Sequence, residues 1–283
     1  ITAFISGCSN CTYCLSGFVN LCTTSAALGT KQYDGTLRLT NGSQSIHQMQ
    51  KLGLFSEYLI CPQQSLYKIP DEVSLDVAGL IGCAVSTGIG GILNSKGAKP
   101  GIDVVIFGLG GVGLSTVMGA KLLNCNKIIA VDIKDHKLEF ATKFGATHTI
   151  NSSKTDVVDE IMKITNDGAD MTFDTFGNSQ VTNDAIKSTK RRGTTVVIGL
   201  APVGESVNVD MVDICRNQKT LEGSFYSSIS PHESFRQIIG HYLKGEIDIR
   251  ALIERTYKLE QINEAFEDLS VGQDGRGIII FPN

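Results

Sequence analysis

Cys8, Cys11, Cys14 and Cys22 stand in a Cys-x-x-Cys-x-x-Cys run closed by a fourth cysteine. Thiolates at that spacing suit one zinc ion in tetrahedral coordination, with no position left open for chemistry. The segment carrying them is rich in Gly, Ser and Asn, and such loops run over the surface, so the four cannot all point into a core. A second constellation is Gly108-Leu109-Gly110-Gly111-Val112-Gly113, set after an apolar run and before an apolar helical pattern. There the glycines permit a tight turn, close backbone approach to a pyrophosphate and close helix-strand packing. The helix start adds free amide N–H groups and the positive end of its dipole. Asp132 comes 24 residues after Gly108, at the end of the next apolar run. Its carboxylate can accept from ribose hydroxyls and would repel a ribose phosphate, which favours NAD over NADP. The competing reading of Asp132 is an ordinary strand-end cap. Lys137 could approach the same ribose or be a solvated helix lysine.

The elements that must position these residues fall into three textures. From about residue 101, β-branched runs at 104–107, 127–131, 171–174 and 194–198 alternate with helical spacing at 112–123, 134–144, 157–164 and 182–190. That alternation predicts a doubly wound parallel sheet covered by helices. Residues 1–84 read as loops and short strands, with turn signals at Asp34-Gly35 and Asn41-Gly42. The end of the chain reads as helices around 232–243 and 259–269 and a strand at 277–281. The expected units are therefore 1–84, 85–225 and 226–283, the last returning in part to the first.

At 283 residues the chain can bury a substantial core. A formal net charge of −4 with no concentrated basic field argues against a nucleic-acid partner. No apolar run looks long enough to cross a bilayer, since glycines break the longest, as at 104–114. Cys61, Cys83, Cys125 and Cys215 are scattered and no secretory signal precedes the cluster, which fits a reducing, cytoplasmic compartment. The chain opens on Ile1 within a strand-like apolar run. The expectation is the larger part of a longer protein.

Together these residues resemble the zinc-dependent medium-chain alcohol dehydrogenases, particularly the branch with class III alcohol and formaldehyde dehydrogenases, over nearly the whole chain. The four-cysteine lobe resembles that family's structural-zinc loop. Gly29, Asp34-Gly35-Thr36, Ile46-His47 and Phe55-Ser56-Glu57-Tyr58 are similar to the family's segments on the carboxyl side of that loop. The stretch from Leu80 through Cys83 and Thr87 to Gly88 is similar to the one supplying the last catalytic-zinc ligand. The resemblance implies a Rossmann domain joined to a partial GroES-like, β-rich catalytic domain. It makes Cys83 a metal ligand and sets Thr87 beside the nicotinamide. Ile198, Leu200 and Ser224 to Tyr226 become backbone anchors of the carboxamide, and Arg276 lies near the pyrophosphate. Without the resemblance, Cys83 reads as a small buried hydrophobe, and Arg276 equally well as a solvated strand-end residue. His47 receives no ligand role.

The implied activity is hydride transfer between an alcohol, or an aldehyde-thiol adduct, and NAD, with zinc polarising the oxygen. The family's other catalytic-zinc ligands would precede Ile1, so the chain by itself is expected to have little or no activity. Leu200 and Phe225 suggest an apolar wall near the nicotinamide. Family members assemble through the edge of the nucleotide-binding sheet, which implies a homodimer or homotetramer. Two further readings stay open: a zinc-free quinone or enone reductase of the same superfamily, and a non-catalytic module that binds NAD and zinc.

Overall fold

The computed structural model describes residues 1–24, 29–272 and 275–281. Ahead of the main sheet lie the single turn α1 (Thr12–Leu15), a hairpin of β1 (Leu39–Asn41) and β2 (Gln44–Ile46), and a longer helical stretch. That stretch joins α2 (Leu75–Leu80), a π-helical turn (Ile81–Val85) and α3 (Ser86–Leu93). The alternating region gives β3 (Val104–Phe107), α4 (Gly111–Leu122), β4 (Ile128–Asp132), α5 (Asp135–Phe144), β5 (His148–Asn151) and α6 (Val157–Thr165). It continues with β6 (Ala169–Asp174), α7 (Ser179–Ser188), β7 (Thr189–Val197), α8 (Met211–Asn217) and β8 (Thr220–Gly223). The chain closes with α9 (Pro231–Leu243), β9 (Ile253–Tyr257), α10 (Ile262–Val271) and β10 (Arg276–Ile279).

Six strands form one parallel sheet in the order β5-β4-β3-β6-β7-β8. The chain builds outward from β3 to β5, then crosses back to β6 on the other side. This reversal leaves a crevice at the carboxyl ends of β3 and β6, where ligands of open α/β sheets bind. Strand periodicity divides the core. Val104, Ile106, Ile128 and Ala130 pack on one face with α3, α4 and α9, while Val105, Phe107, Ile129 and Val131 pack on the other with α6 and α7. All four residues of β3 are buried, as expected for a central strand covered on both faces.

Several expectations need correction. Edge strands β5 and β8 are not among the expected strands: each is four residues long, and of the two only β5 has a buried residue, Ile150. The region 1–84, which reads as loops and strands, holds α2 and all but the last residue of the π-helical turn. By length and a mean hydropathy of 1.6, the helical stretch Leu75–Leu93 is apolar enough to cross a membrane, contrary to the reading of the runs. It is a core element here, with 61% of its most apolar window buried. All its glycines but Gly79 are contact points: a Cβ on Gly88 would meet the Val112 carbonyl at 2.3 Å and Ser115 Cβ at 2.5 Å on α4.

Candidate functional site

The four cysteine sulfurs lie within 4.8 Å of one another. Local backbone explains the convergence. Cys11 is the N-cap of α1 and Cys14 lies within that turn, so the two share a side; the 3-10 turn Val19–Leu21 brings back Cys22, which is fully buried. The Cys11 amide donates to Cys8 Sγ at 3.3 Å. Amides of Asn10 and Cys11 draw the Cys8 thiol below its usual pKa, and those of Cys14 and Thr23 do the same for Cys11, whereas burial pushes Cys14 up. Thiol groups converging on one point, with N–H donors aimed at sulfur, fit a tetrathiolate zinc. A residue not foreseen is Lys51, only 4% exposed, whose ammonium lies 5.3 Å from the Tyr33 ring centre. Tyr33 in turn donates to the Gly7 carbonyl beside Cys8 at 2.8 Å. Burial pushes the Lys51 ammonium below the usual lysine pKa, with Cys22 drawing it partly back up.

At the crevice the glycines differ in what surrounds them. Gly108 has φ +86°, and a Cβ there would press on Phe176 and Thr175. A Cβ on Gly113 would lie 1.8 Å from the Gly108 carbonyl oxygen, so only glycine lets α4 start this close to β3. Gly110 has nothing within 4 Å of an added Cβ and is exposed, leaving open the approach to the amino end of α4. Val112 is half-buried in the first turn of that helix. Asp132 Oδ2 accepts from the Leu109 amide at 2.9 Å and Oδ1 from the Lys134 amide at 3.1 Å. The carboxylate thus shapes the turn and keeps lone pairs for two further donors. Lys137 is half-buried, and its ammonium lies 3.7 Å from where a Gly272 Cβ would be, at the end of α10.

Arg276 reaches the turn from β10. Its Cδ and Nε would lie 2.8 and 3.2 Å from a Cβ on Gly111. Arg276 Nε is buried without a hydrogen-bond partner among the described residues. An orphaned guanidinium N–H beside a helix amino end is a pair of unspent donors that an anion would satisfy. The residues present therefore fit a dinucleotide pyrophosphate.

Cys83 lies in the π-helical turn, an insertion frequent at functional positions. It is exposed rather than buried, although dense protein around it pushes its thiol pKa up and Arg276 draws it down. Thr87, one helical turn on, is half-buried. A Cβ on Gly91 of α3 would meet Ile198 Cδ1 at 2.8 Å and Ser224 Oγ at 3.7 Å, so both candidates gather against one helix. Tyr226 is 2% exposed and donates to the Gly82 carbonyl at 2.5 Å, one residue from Cys83. Leu200 stands 81% exposed at the mouth of the crevice. His47 is bonded to Thr30 Oγ1 at 2.6 Å, away from this group. Among the described residues, the four-cysteine cluster is the only group of three or more potential ligands that converges. Cys83 alone does not fit a catalytic zinc, which takes about three protein ligands.

Comparison with known proteins agrees with this geometry. Residues 111–243 match the family described as zinc-binding dehydrogenase. An S-(hydroxymethyl)glutathione dehydrogenase of Saccharomyces cerevisiae is 33% identical over 288 aligned residues, covering 99% of this chain and 74% of that protein. The chain belongs to the zinc-dependent alcohol dehydrogenase family. Among solved dehydrogenases, an alcohol dehydrogenase zinc-binding domain protein of Burkholderia ambifaria superposes with a TM-score of 0.94 at 31% identity, over 100% of this chain and 77% of that one. A zinc-binding dehydrogenase of Sinorhizobium meliloti bound to NADP superposes with a TM-score of 0.80 at 26% identity, over 97% and 74% of the two chains. This dehydrogenase therefore has the Rossmann architecture of an NAD(P)-linked, zinc-containing oxidoreductase family.

Proposed function

We propose that this chain binds NAD in the crevice above β3 and β6 and serves hydride transfer between it and an alcohol or an aldehyde-thiol adduct. The observation that carries this reading is the glycine turn with its unspent donors: the open Gly110 face, the amino end of α4 and the orphaned Nε of Arg276. In this reading Gly110, Gly111 and Val112 offer amides to the pyrophosphate, and Arg276 donates to a phosphate oxygen. Asp132 accepts from the adenosine ribose, with Lys137 nearby. Backbone groups of Ile198, Leu200 and Ser224 to Tyr226 orient the carboxamide, and Thr87 packs beside the ring. When bound, NAD supplies the hydride acceptor, while the protein fixes its distance to the substrate carbon and excludes water. Cys8, Cys11, Cys14 and Cys22 would hold a zinc that folds the lobe. We further assign 1–84, 85–225 and 226–283 as units, the first and last forming one GroES-like part, in a cytoplasmic homodimer or homotetramer joined along β8.

A second reading is a module that binds NAD and zinc without turnover. Both readings require cofactor binding, which is the first measurement. Calorimetry with NAD and NADP should give binding, tighter for NAD, and elemental analysis about one zinc per chain. Absence of binding by either dinucleotide would refute the proposal. NADH formation from simple alcohols or from a hydroxymethyl-thiol adduct then separates the two readings.

A further inference from the structure

The cysteine lobe meets the nicotinamide end of the crevice through Asn20. This residue lies in the turn between Cys14 and Cys22, is 2% exposed, and donates from Nδ2 to the Phe225 carbonyl at 2.9 Å across 205 residues of chain. The same carbonyl accepts from the Ser228 amide at 3.1 Å. Both lone pairs of that oxygen are then engaged, so the peptide plane between residues 225 and 226 is fixed. Turning the Asn20 amide over would set oxygen against oxygen, so chemistry determines its orientation. Asn20 Oδ1 is buried with no partner among the described residues. A half-satisfied buried amide is costly, which ties the presence of asparagine here to the one bond it makes.

Past Phe225 the backbone is strained. Tyr226, Ser227 and Ser228 have φ of 50°, 71° and 59°, a left-handed run of residues that all carry a Cβ. Four side chains hold it and the carbonyl before it. Tyr226 Oη donates to the Gly82 carbonyl at 2.5 Å, Ser227 Oγ to the Ser86 carbonyl at 2.6 Å, and Asn94 Nδ2 to the Ser227 carbonyl at 2.9 Å. Those three ties all run to the helical stretch beneath the crevice. The fourth, from Asn20, comes from the cysteine lobe.

We propose that Asn20 is a positioning residue for the nicotinamide: through the Phe225 carbonyl, the zinc-folded lobe holds the 224–226 segment in the geometry the carboxamide needs. The inference rests on the proposed function, in which this segment's backbone anchors the carboxamide. It gives a metal without an open coordination position an effect on cofactor affinity at a distance.

The test compares NADH with ADP-ribose, which keeps the pyrophosphate and ribose contacts but lacks the nicotinamide ring. Calorimetry on wild-type protein, Asn20→Ala and Asn20→Asp should show NADH binding weakened about five- to tenfold, the size of one lost buried hydrogen bond. ADP-ribose should bind within about twofold of wild type, and zinc content should be unchanged. Wild-type protein stripped of zinc by a chelator should show the same selective loss, an arm that survives if either variant fails to fold. Equal weakening of NADH and ADP-ribose, or NADH affinity unchanged in both the variants and the stripped protein, would overturn the proposal. Wild-type protein that binds neither nucleotide would sink the cofactor-site reading itself, and this inference with it.

Discussion

Gly110 and Gly113 answer different physical demands, and exchanging each for alanine separates them. A Cβ at position 113 would lie 1.8 Å from the Gly108 carbonyl oxygen and 2.9 Å from Thr175 Oγ1. Neither neighbour can swing aside, since the first is backbone and the second is held on Gly108 O at 2.8 Å. Helix α4 would have to move off β3. Overpacking of this kind costs about 1–3 kcal/mol. At about 2–4 °C per kcal/mol for a chain of this size, the melting temperature should fall by roughly 2–12 °C. Gly110, by contrast, has φ −78°, open to any residue, and nothing within 4 Å of an added Cβ. Gly110→Ala should lose roughly 0.5–1 kcal/mol at the N-cap, about 1–4 °C. Its methyl group, however, would stand where the pyrophosphate must approach, and NAD affinity should drop by about tenfold or more, ~1.4 kcal/mol. Thermal melts followed by circular dichroism and calorimetric NAD titrations read both effects. Wild-type NAD affinity in Gly110→Ala would refute the cofactor approach, and a wild-type melt in Gly113→Ala would refute the packing argument.

Other outcomes rest on the same geometry. Cys22→Ser should lose the bound zinc and melt lower, while Cys83→Ser should keep the zinc content of the wild type; elemental analysis showing a drop in Cys83→Ser would mean Cys83 has ligand partners. Asp132→Ala releases the Leu109 and Lys134 amides, so NAD should bind several-fold more weakly and the preference over NADP should narrow, with unchanged discrimination in paired titrations counting against the ribose role. Arg276→Lys keeps a charge but loses the Nε donor, and NAD affinity should fall by about threefold or more; an unchanged affinity would argue against a phosphate contact. Arg236 and Gln237 hold the Glu233 carboxyl at about 2, and Thr36 and Arg38 hold Asp34 at about 2, against ordinary values of 4.5 and 3.8. A depressed carboxylate stabilises the fold above its unfolded pKa and loses that contribution as pH falls through the folded one. The melting temperature should therefore drop between about pH 4.5 and 2, less steeply in the Glu233→Gln, Asp34→Asn double variant, and equal slopes would refute the assignment.

What can be read from sequence alone is decided by burial. The central strands β3, β4, β6 and β7 announce themselves because both faces are covered, which demands near-continuous apolar runs such as Val104 to Phe107. Edge strands β5 and β8 need no such runs, and of their residues only Ile150 is buried. Helical spacing places the start of α7 three residues late because Asn178, whose side chain caps the Val181 amide, looks like any loop asparagine. The cysteine spacing and glycine turn are legible because each glycine or thiol answers a local requirement. The stretch from Leu75 to Leu93 is not, since its glycines mimic a loop and helix formation there is decided by tertiary contact. Gly88 lets α3 lie on α4, and Gly90 lets it lie against Ser227, where a Cβ would be 2.5 Å from the serine's own. That same contact conceals the left-handed run at Tyr226 to Ser228. No glycine marks it, so nothing in its letters predicts φ above zero. Conformation there is imposed by hydrogen bonds to the carbonyls of residues 82 and 86 and from the side chains of residues 94 and 20. The part of the crevice that pattern reading reaches, the pyrophosphate turn, is thus built from local rules. The nicotinamide end is held by long-range ties, and variation among relatives should be tolerated there only when the tie and its anchor change together.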